Sequence, residues 1–188
     1  MARQTPRKDH LIEVALRLFS QKGYHACGID LILAEAGVSK ATLYKHFPTK
    51  EDLILAVLER RHQDLSDEQT RRIEEIQSQN PNASCVELIG ALFDGLDAWF
   101  QGEHFCGCNF IHAAGEYQGA QDPIHQMAKR HKLSNLKVVE TLLGPKRKDM
   151  ALPILLLMEG AIVLAHVCQC KEAAREAKQA AFQLLKGS

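Results

Sequence analysis

Apolar residues recur at helical spacing along nearly the whole chain, and no segment shows the alternation of a β-strand. Near the N-terminus, Leu11, Ile12, Ala15, Leu16 and Phe19 are separated by one, three or four residues. This spacing places them on one face of an amphipathic helix. Similar patterns return after every polar or glycine-containing break. We therefore predict an all-α fold.

Glycine, proline and polar turn residues divide this pattern into separate helices. The first helix is predicted to begin at Thr5–Pro6, with threonine as the cap and proline in the first turn. Further helices are predicted over about 28–36, 39–46, 50–76, 85–100, 105–116, 123–143, 150–168 and 171–186, and the segment 144–149 is predicted to be a loop. We predict an N-terminal domain of residues 1–50 and a helical domain of residues 51–188, joined by the long fourth helix.

The stretch AGVSKATLYKHFPTKEDL, residues 36–53, contains two short helical segments joined by a tight turn. Gly37 suits the left-handed conformation that ends a helix. Ser39 can cap the next helix with its hydroxyl, and Pro48 ends that helix. In that helix Leu43 and Phe47 are expected to face inward. Thr49 and Asp52 form a capping-box-like pair at the start of the fourth helix. Two short helices joined by a glycine-containing turn form a helix-turn-helix, a common DNA-binding arrangement.

The run from Phe19 to Glu59 resembles the DNA-binding domain of the TetR family of transcriptional repressors. The likeness rests on Phe19, Gly23-Tyr24, Ala36-Gly37-Val38-Ser39, Thr42-Leu43-Tyr44, His46-Phe47 and Lys50-Glu51-Asp52-Leu53. It implies a homodimer that binds a palindromic operator in double-stranded DNA and is released by an inducer bound in the C-terminal domain. The DNA-binding residues predicted from the residue types and this resemblance are Gly28, Ser39, Lys40, Thr42, Tyr44, Lys45, His46 and Lys50. Family members often have a hydroxyl residue where this chain has Cys27-Gly28, and that hydroxyl usually caps the second helix and contacts the DNA backbone. In this chain the backbone amide of Gly28 is assigned that role.

Charge is distributed unevenly although the formal net charge is zero. Residues 1–50 contain eight lysines and arginines and four acidic residues, whereas the rest of the chain contains 15 basic and 19 acidic residues. A basic excess confined to the first quarter indicates a polyanion-binding surface on an otherwise acidic protein.

Two features of the C-terminal part predict a ligand pocket and a dimer interface. Polar residues set among apolar neighbours favour a small-molecule pocket, with candidate residues Trp99, Phe105, Asn109, His112, Glu116, Met127 and His131. The same polar groups could instead satisfy one another in the core. The segment 152–167 is apolar on nearly every face, and small residues follow at Ala173, Ala174, Ala177, Ala180 and Ala181. We predict that these last two long helices form a homodimer.

The cysteines leave two further interpretations open. Cys27, expected to be exposed at a helix start, and Cys106 are candidate thiol sensors of oxidants or electrophiles. The two Cys-x-Cys pairs, together with the spacing of Cys108, His112 and Glu116, allow a metal-sensing alternative. An alternative from another functional class is a helical protein-interaction module, in which the helix-turn-helix binds protein and not DNA.

Enzymatic motifs are missing from the sequence: it has no glycine-rich phosphate loop and no nucleophile elbow. We predict a protein that is not an enzyme and uses no cofactor. The N-terminus lacks the apolar stretch of a secretory signal, and the longest apolar segment is interrupted by Pro153, Glu159 and His166. These features predict a cytoplasmic protein without a membrane partner.

Overall fold

The computed structural model describes residues 6–186. Within that range it contains nine α-helices and one 3-10 helix. The α-helices are α1 (Pro6–Lys22), α2 (Ile29–Ala36), α3 (Lys40–His46), α4 (Lys50–Gln79), α5 (Cys85–Gln101), α6 (Asn109–Glu116), α7 (Pro123–Leu143), α8 (Ala151–Val167) and α9 (Ala173–Lys186). The all-α prediction is confirmed. The predicted start of α1 at Pro6 is also confirmed, whereas the predicted cap Thr5 lies outside the described residues.

Two predicted segments differ from the structure. The helix predicted over 105–116 begins only at Asn109, because Gly107 adopts a positive φ of 80°. A β-carbon at Gly107 would lie 2.7 Å from the His166 ring, so the backbone passes too close to that ring for a larger residue. The segment 144–149, predicted as a loop, lies largely in the 3-10 helix Pro145–Met150.

The chain forms two compact units. Within the described residues, the first contains 6–64 together with Cys108–His131, and the second contains Leu65–Gly107 and 132–186. The first unit therefore includes α6 and the beginning of α7, which the sequence did not indicate. The predicted division into domains 1–50 and 51–188 stays a prediction.

The core of the first unit holds the three N-terminal helices together. Phe19, Tyr24, Leu43 and Leu53 are fully buried, and α2 packs against both α1 and α3. The Phe19 and Tyr24 ring centroids are 5.1 Å apart. Burying each large apolar side chain contributes about 1.5–3 kcal/mol, so this small core fixes helices that are too short to be stable alone.

The second unit is built on α5, α8 and α9, which pack against one another. Small residues allow this close packing: a β-carbon at Gly90 of α5 would lie 3.0 Å from the Phe182 ring of α9. Four of the five alanines predicted for the dimer interface are buried within the chain, namely Ala173, Ala174, Ala177 and Ala181. That part of the interface prediction is wrong, because the alanine stripe faces the interior of its own unit. Ala180 is exposed.

The outer face of α8 is apolar and exposed. Leu156 and Val167 are 64% and 70% exposed, and Leu152, Val163 and Leu164 are also exposed. These residues and the exposed Gly160 recur at intervals of three or four, so they form one continuous stripe. By length and composition alone, Pro145–Val167 could cross a membrane, a criterion that buried helices of soluble proteins also meet.

Candidate nucleic-acid interface

The turn between α2 and α3 has the geometry of a helix-turn-helix. Gly37 ends α2 with a φ of 63° and a ψ of 33°, a left-handed conformation that glycine adopts without steric cost. The Val38 N–H donates to the Leu33 carbonyl over 3.3 Å. The Thr42 N–H donates to Ser39 Oγ over 3.2 Å, so Ser39 caps α3 as predicted.

The residues of α3 divide between an inner and an outer face. Leu43 is fully buried, and Phe47, which ends the helix, is 3% exposed, so both face inward as predicted. Lys40, Tyr44 and Lys45 are exposed. Thr42 and His46 are half-buried at the edges. The short helix is therefore held from below by two apolar side chains while its basic and aromatic residues face solvent.

The start of α4 is fixed by reciprocal hydrogen bonds. The Thr49 N–H donates to Asp52 Oδ2 over 3.0 Å, and the Asp52 N–H donates to Thr49 Oγ1 over 3.1 Å. This exchange is a capping box with aspartate in the acidic position. Lys50, the first residue of α4, donates from Nζ to the His25 carbonyl over 3.3 Å. The predicted DNA contact Lys50 thus lies beside the turn that follows α1.

The start of α2 differs from the prediction at Cys27. This thiol is fully buried, so the expectation that Cys27 is exposed is wrong. Burial raises the pKa of Cys27, although the charges of Lys50 and Lys22 oppose that shift. A buried thiol with a raised pKa is a poor sensor, because the thiolate is the reactive form. The other candidate, Cys106, is half-buried.

Gly28 precedes α2 as its cap residue. It is exposed, and its φ of −76° and ψ of 155° are open to any residue type. No side chain caps α2 at this position. Only the backbone of Gly28 is therefore available for the predicted contact with the DNA backbone.

Asn109, a predicted ligand-binding residue, is buried between α1 and the turn after it. Its side-chain Nδ2 donates to Ser20 Oγ over 2.7 Å, and its backbone carbonyl accepts a hydrogen bond from Tyr24 Oη over 3.1 Å. Asn109 therefore ties α6 to the N-terminal helices. Sequence patterns do not indicate this contact, since the partners are more than 80 positions apart.

Glu116, at the end of α6, contacts the same turn. Its Oε1 accepts from the Tyr24 N–H over 2.8 Å, and its Oε2 accepts from the His25 N–H over 2.5 Å. The missed signal was local: Gly23 ends α1, so the amides just beyond it need acceptors outside a helix.

His131 is buried beneath α6. Its ring stacks on Phe110 with a centroid distance of 3.7 Å, and its Nδ1 lies 3.0 Å from His62 Nδ1. Met127, one turn earlier, is also buried, and its sulfur accepts a hydrogen bond from Arg130. These contacts place both predicted ligand residues in the packed interior of the first unit.

The remaining ligand candidates are distributed over both units. His112 is half-buried on α6 of the first unit. Trp99 and Phe105 belong to the second unit, where their ring centroids lie 4.9 Å apart in an edge-to-face arrangement. The ligand-binding role of all seven residues stays a prediction. Between residues 6 and 186, no group of three or more His, Cys, Asp or Glu side chains is placed to hold a metal ion.

Comparison with known proteins agrees with this architecture. Residues 11–57 match the family model described as bacterial regulatory proteins, tetR family. The crystal structure of SCO4454, a TetR-family transcriptional regulator from Streptomyces coelicolor, superposes with a TM-score of 0.85 at 25% identity, covering 96% of this chain and 95% of that chain. Residues 11–57 therefore form a DNA-binding domain of the TetR family, and the whole chain has the fold of a TetR-family transcriptional regulator. Its helix-turn-helix is the DNA-binding element of that family.

Two regulators from other bacteria match different shares of the chain. The transcriptional activator FasR of Mycolicibacterium smegmatis is 50% identical over 54 residues, which are 29% of this chain and 25% of FasR. The regulator YuxN of Bacillus subtilis is 27% identical over 156 residues, covering 80% of this chain and 50% of YuxN. The matched regions thus span between a quarter and a half of the length of these two relatives.

Proposed function

We propose that this TetR-family regulator is a homodimeric repressor that binds a palindromic DNA operator through α3 and is released by a small molecule. One observation carries the proposal. Lys40, Tyr44 and Lys45 project from a capped helix that buried Leu43 and Phe47 hold in place. A rigid helix with basic and aromatic side chains on its outer face suits the DNA major groove.

The outer residues of α3 have complementary roles in this proposal. Lys40 reaches phosphate or guanine, the Thr42 methyl contacts thymine, and the Tyr44 hydroxyl donates to phosphate. Lys45, His46 and Lys50 add phosphate contacts, together with Ser39 and the Gly28 amide. The basic excess of the first 50 residues supports these assignments, because phosphate contacts supply most of the affinity for DNA.

The exposed stripe of α8 supports a dimer. Large apolar side chains on one continuous helix face are costly in water, and a second copy of the chain would cover them. A twofold dimer presents two α3 helices, which must lie roughly 34–36 Å apart to enter successive major grooves. This role also accounts for the apolar character of α8 in a protein that we place in the cytoplasm with its DNA.

Release by a ligand is the finer part of the proposal. The candidate pocket residues remain Trp99, Phe105, Asn109, His112, Glu116, Met127 and His131. A molecule that binds preferentially to a dimer with the wrong α3 spacing would lower operator occupancy by shifting the population toward that state. FasR is named as an activator, so the sign of regulation is tested directly, by fusing the operator to a reporter gene with and without the regulator.

The DNA-binding function is tested by fluorescence anisotropy with duplexes of random sequence. We expect binding that weakens steeply between 50 and 200 mM salt, in the manner of a protein that releases counterions from several phosphates. Lys40→Ala and Tyr44→Ala should each lower the affinity at least about tenfold for a sequence selected by the wild-type protein. Lys146→Ala, which removes an equal charge from the second unit, is the control. Wild-type affinity in both α3 variants would refute the assignment.

A further inference from the structure

The carboxylate of Glu116 holds two successive backbone amides of the turn that follows α1. Oε1 accepts from Tyr24 over 2.8 Å, and Oε2 accepts from His25 over 2.5 Å. Oε2 also lies 3.0 Å from His25 Nδ1. We refer to these contacts between Glu116 and residues 24 and 25 as the Glu116 clasp. Hydrogen bonds from amides to a charged acceptor are among the stronger ones in proteins.

The clasp requires a glycine at position 23. Gly23 has a φ of 82°, and a β-carbon there would lie 2.9 Å from Glu116 Oε1. The missing side chain therefore allows the carboxylate to approach the backbone closely. A second contact supports the same turn from the other end of α6, where the Asn109 carbonyl accepts from Tyr24 Oη. Both ends of α6 are thus attached to the turn between α1 and α2.

The His25 peptide is held on both sides. Its N–H donates to Glu116, and its carbonyl accepts from Lys50 Nζ over 3.3 Å. The His25 ring stacks on Tyr117 with a centroid distance of 4.8 Å. Lys50 and Gly28, three residues beyond His25, are both among the proposed phosphate contacts. A displacement of the His25 peptide would therefore move the groups that bind the DNA backbone.

We propose that Glu116 is a positioning residue for DNA binding, which acts through the His25 peptide on Lys50 and on the start of α2. This inference rests on the proposed DNA-binding function and assigns Glu116 to the regulation of that site. The clasp fixes the turn in its DNA-competent position. A change that withdraws the Glu116 carboxylate from the two amides therefore lowers the affinity for DNA, although Glu116 itself does not contact DNA.

Electrostatics and the clasp predict opposite effects of removing the Glu116 charge. Deleting a carboxylate from the unit that carries the helix-turn-helix makes that unit more positive, which by itself tightens binding to a polyanion. Loss of the clasp loosens the turn and weakens binding. The direction of the change therefore decides between the two effects.

The test compares Glu116→Gln with wild type and with Glu103→Gln, which removes the same charge from an exposed position of the second unit. The probe is a fluorescein-labelled duplex of roughly 30 base pairs, about three helical turns, selected from a random pool by the wild-type protein. We expect Glu116→Gln to bind at least about tenfold more weakly, a free-energy change that a single well-placed ionic hydrogen bond can supply. Glu103→Gln should bind as wild type does.

Two further measurements separate positioning from a general loss of structure. Amide hydrogen exchange should accelerate at Tyr24 and His25 in Glu116→Gln, while the amide of Leu43 keeps its protection. In a double-mutant cycle, Glu116→Gln should cost little more in a Lys50→Ala background, because residues that act through one another are not additive. Glu116→Asp, which keeps the charge but shortens the side chain by one methylene, should weaken binding in the same direction and serves if Glu116→Gln fails to fold.

The possible failures are distinguishable. If the wild-type protein selects no sequence and shows no salt-dependent affinity, the DNA-binding proposal fails and this inference fails with it. If the wild type binds but folded Glu116→Gln binds equally well or more tightly, only the positioning role of Glu116 is overturned. Full additivity with Lys50→Ala would overturn the route through His25.

Discussion

The hydroxyl of Tyr24 donates to the backbone carbonyl of Asn109 over 3.1 Å, and the Tyr24 side chain is fully buried. This contact joins the turn after α1 to the first residue of α6. It is one of the few polar contacts in this largely apolar core. Because a buried hydroxyl without a partner is costly, this atom pair helps to fix the position of α6 relative to the turn, together with the hydrogen bonds of Glu116.

Tyr24→Phe should lower the free energy of unfolding by about 1 kcal/mol, the usual net contribution of one hydrogen bond. The ring packing against Phe19 is retained, so the variant should fold. Urea denaturation followed by circular dichroism measures the change. Tyr44→Phe removes a hydroxyl from an exposed tyrosine and should stay within about 0.5 kcal/mol of wild type. Equal stability of Tyr24→Phe and wild type would contradict the hydrogen bond.

The protein should lose stability at alkaline pH through two tyrosines. Burial is the main cause that raises the pKa of Tyr24 above its usual range. Burial, with smaller contributions from Glu51, Glu116 and Asp122, raises the pKa of Tyr117 to about 12. In the unfolded chain both groups ionise near pH 10. Stability is therefore complete below about pH 10 and falls as the pH rises toward 12, because the unfolded state releases protons first.

Denaturant midpoints measured between pH 8 and 11.5 test this pH dependence. The tyrosinate absorbance of the folded protein gives an independent check. In Tyr24→Phe the loss of stability between pH 10 and 11.5 should be smaller than in wild type. An unchanged pH dependence in that variant would show that Tyr24 ionises normally in the folded state.

Gly28 and Gly37 should respond in opposite ways to the same substitution. A β-carbon at either position meets no atom within 4 Å, so only the backbone conformation separates them. Gly28→Ser places a hydroxyl at the cap of α2 and should raise the free energy of unfolding by a few tenths of a kcal/mol. Gly37→Ser forces a side chain into the left-handed region and should lower it by about 1–2 kcal/mol. Thermal denaturation of both variants beside wild type measures the difference.

The exposed stripe of α8 predicts the effect of a charge on assembly. Leu156→Glu should convert the proposed dimer to monomers, because an isolated carboxylate buried in an apolar interface is strongly unfavourable. Sedimentation velocity at micromolar concentration measures the oligomeric state. Leu133→Glu, at another exposed leucine of the second unit, is the matched control and should leave the dimer intact. A wild-type protein that sediments as a monomer would refute the interface.

The cysteines should react with thiol reagents in the order of their exposure. Cys168 is exposed, whereas Cys27 and Cys108 are buried. Under native conditions a maleimide should label Cys168 first and Cys27 only upon unfolding, since burial both blocks access and raises the pKa of the Cys27 thiol. Peptide mass spectrometry of timed samples identifies the labelled sites. Rapid native labelling of Cys27 would restore it as a candidate sensor.

Local signals in the sequence predicted most helix positions and the direction of side chains on α3. Gly37, Ser39 and the Thr49–Asp52 pair act over three or four residues, and all adopt their predicted capping roles or conformations. The burial of Leu43 followed from helical spacing alone. Interactions that depend only on near neighbours can be derived from a single sequence.

Long-range contacts were not predicted. The glycine that ends α1 shows locally that the amides of Tyr24 and His25 need acceptors, but it does not show that Glu116, 92 and 91 positions later, supplies them. Nothing local indicates that His62 meets His131. Cys27 was misjudged for the same reason, since a residue at a helix start is buried only if another element covers it. The alanine stripe of α9 was assigned to the wrong interface. Residue spacing shows that one helix face carries small side chains, but it does not show which element packs against that face.

The seven-residue α3 is shorter than any helix that persists by itself in water. Its shape depends on the burial of Leu43 and Phe47 and on the cap from Ser39. A synthetic peptide of residues 36–53 would therefore be a random coil and would not read a base sequence. Transplanting the specificity of this regulator to another protein requires the exchange of side chains on an equivalent folded scaffold, with the supporting core kept.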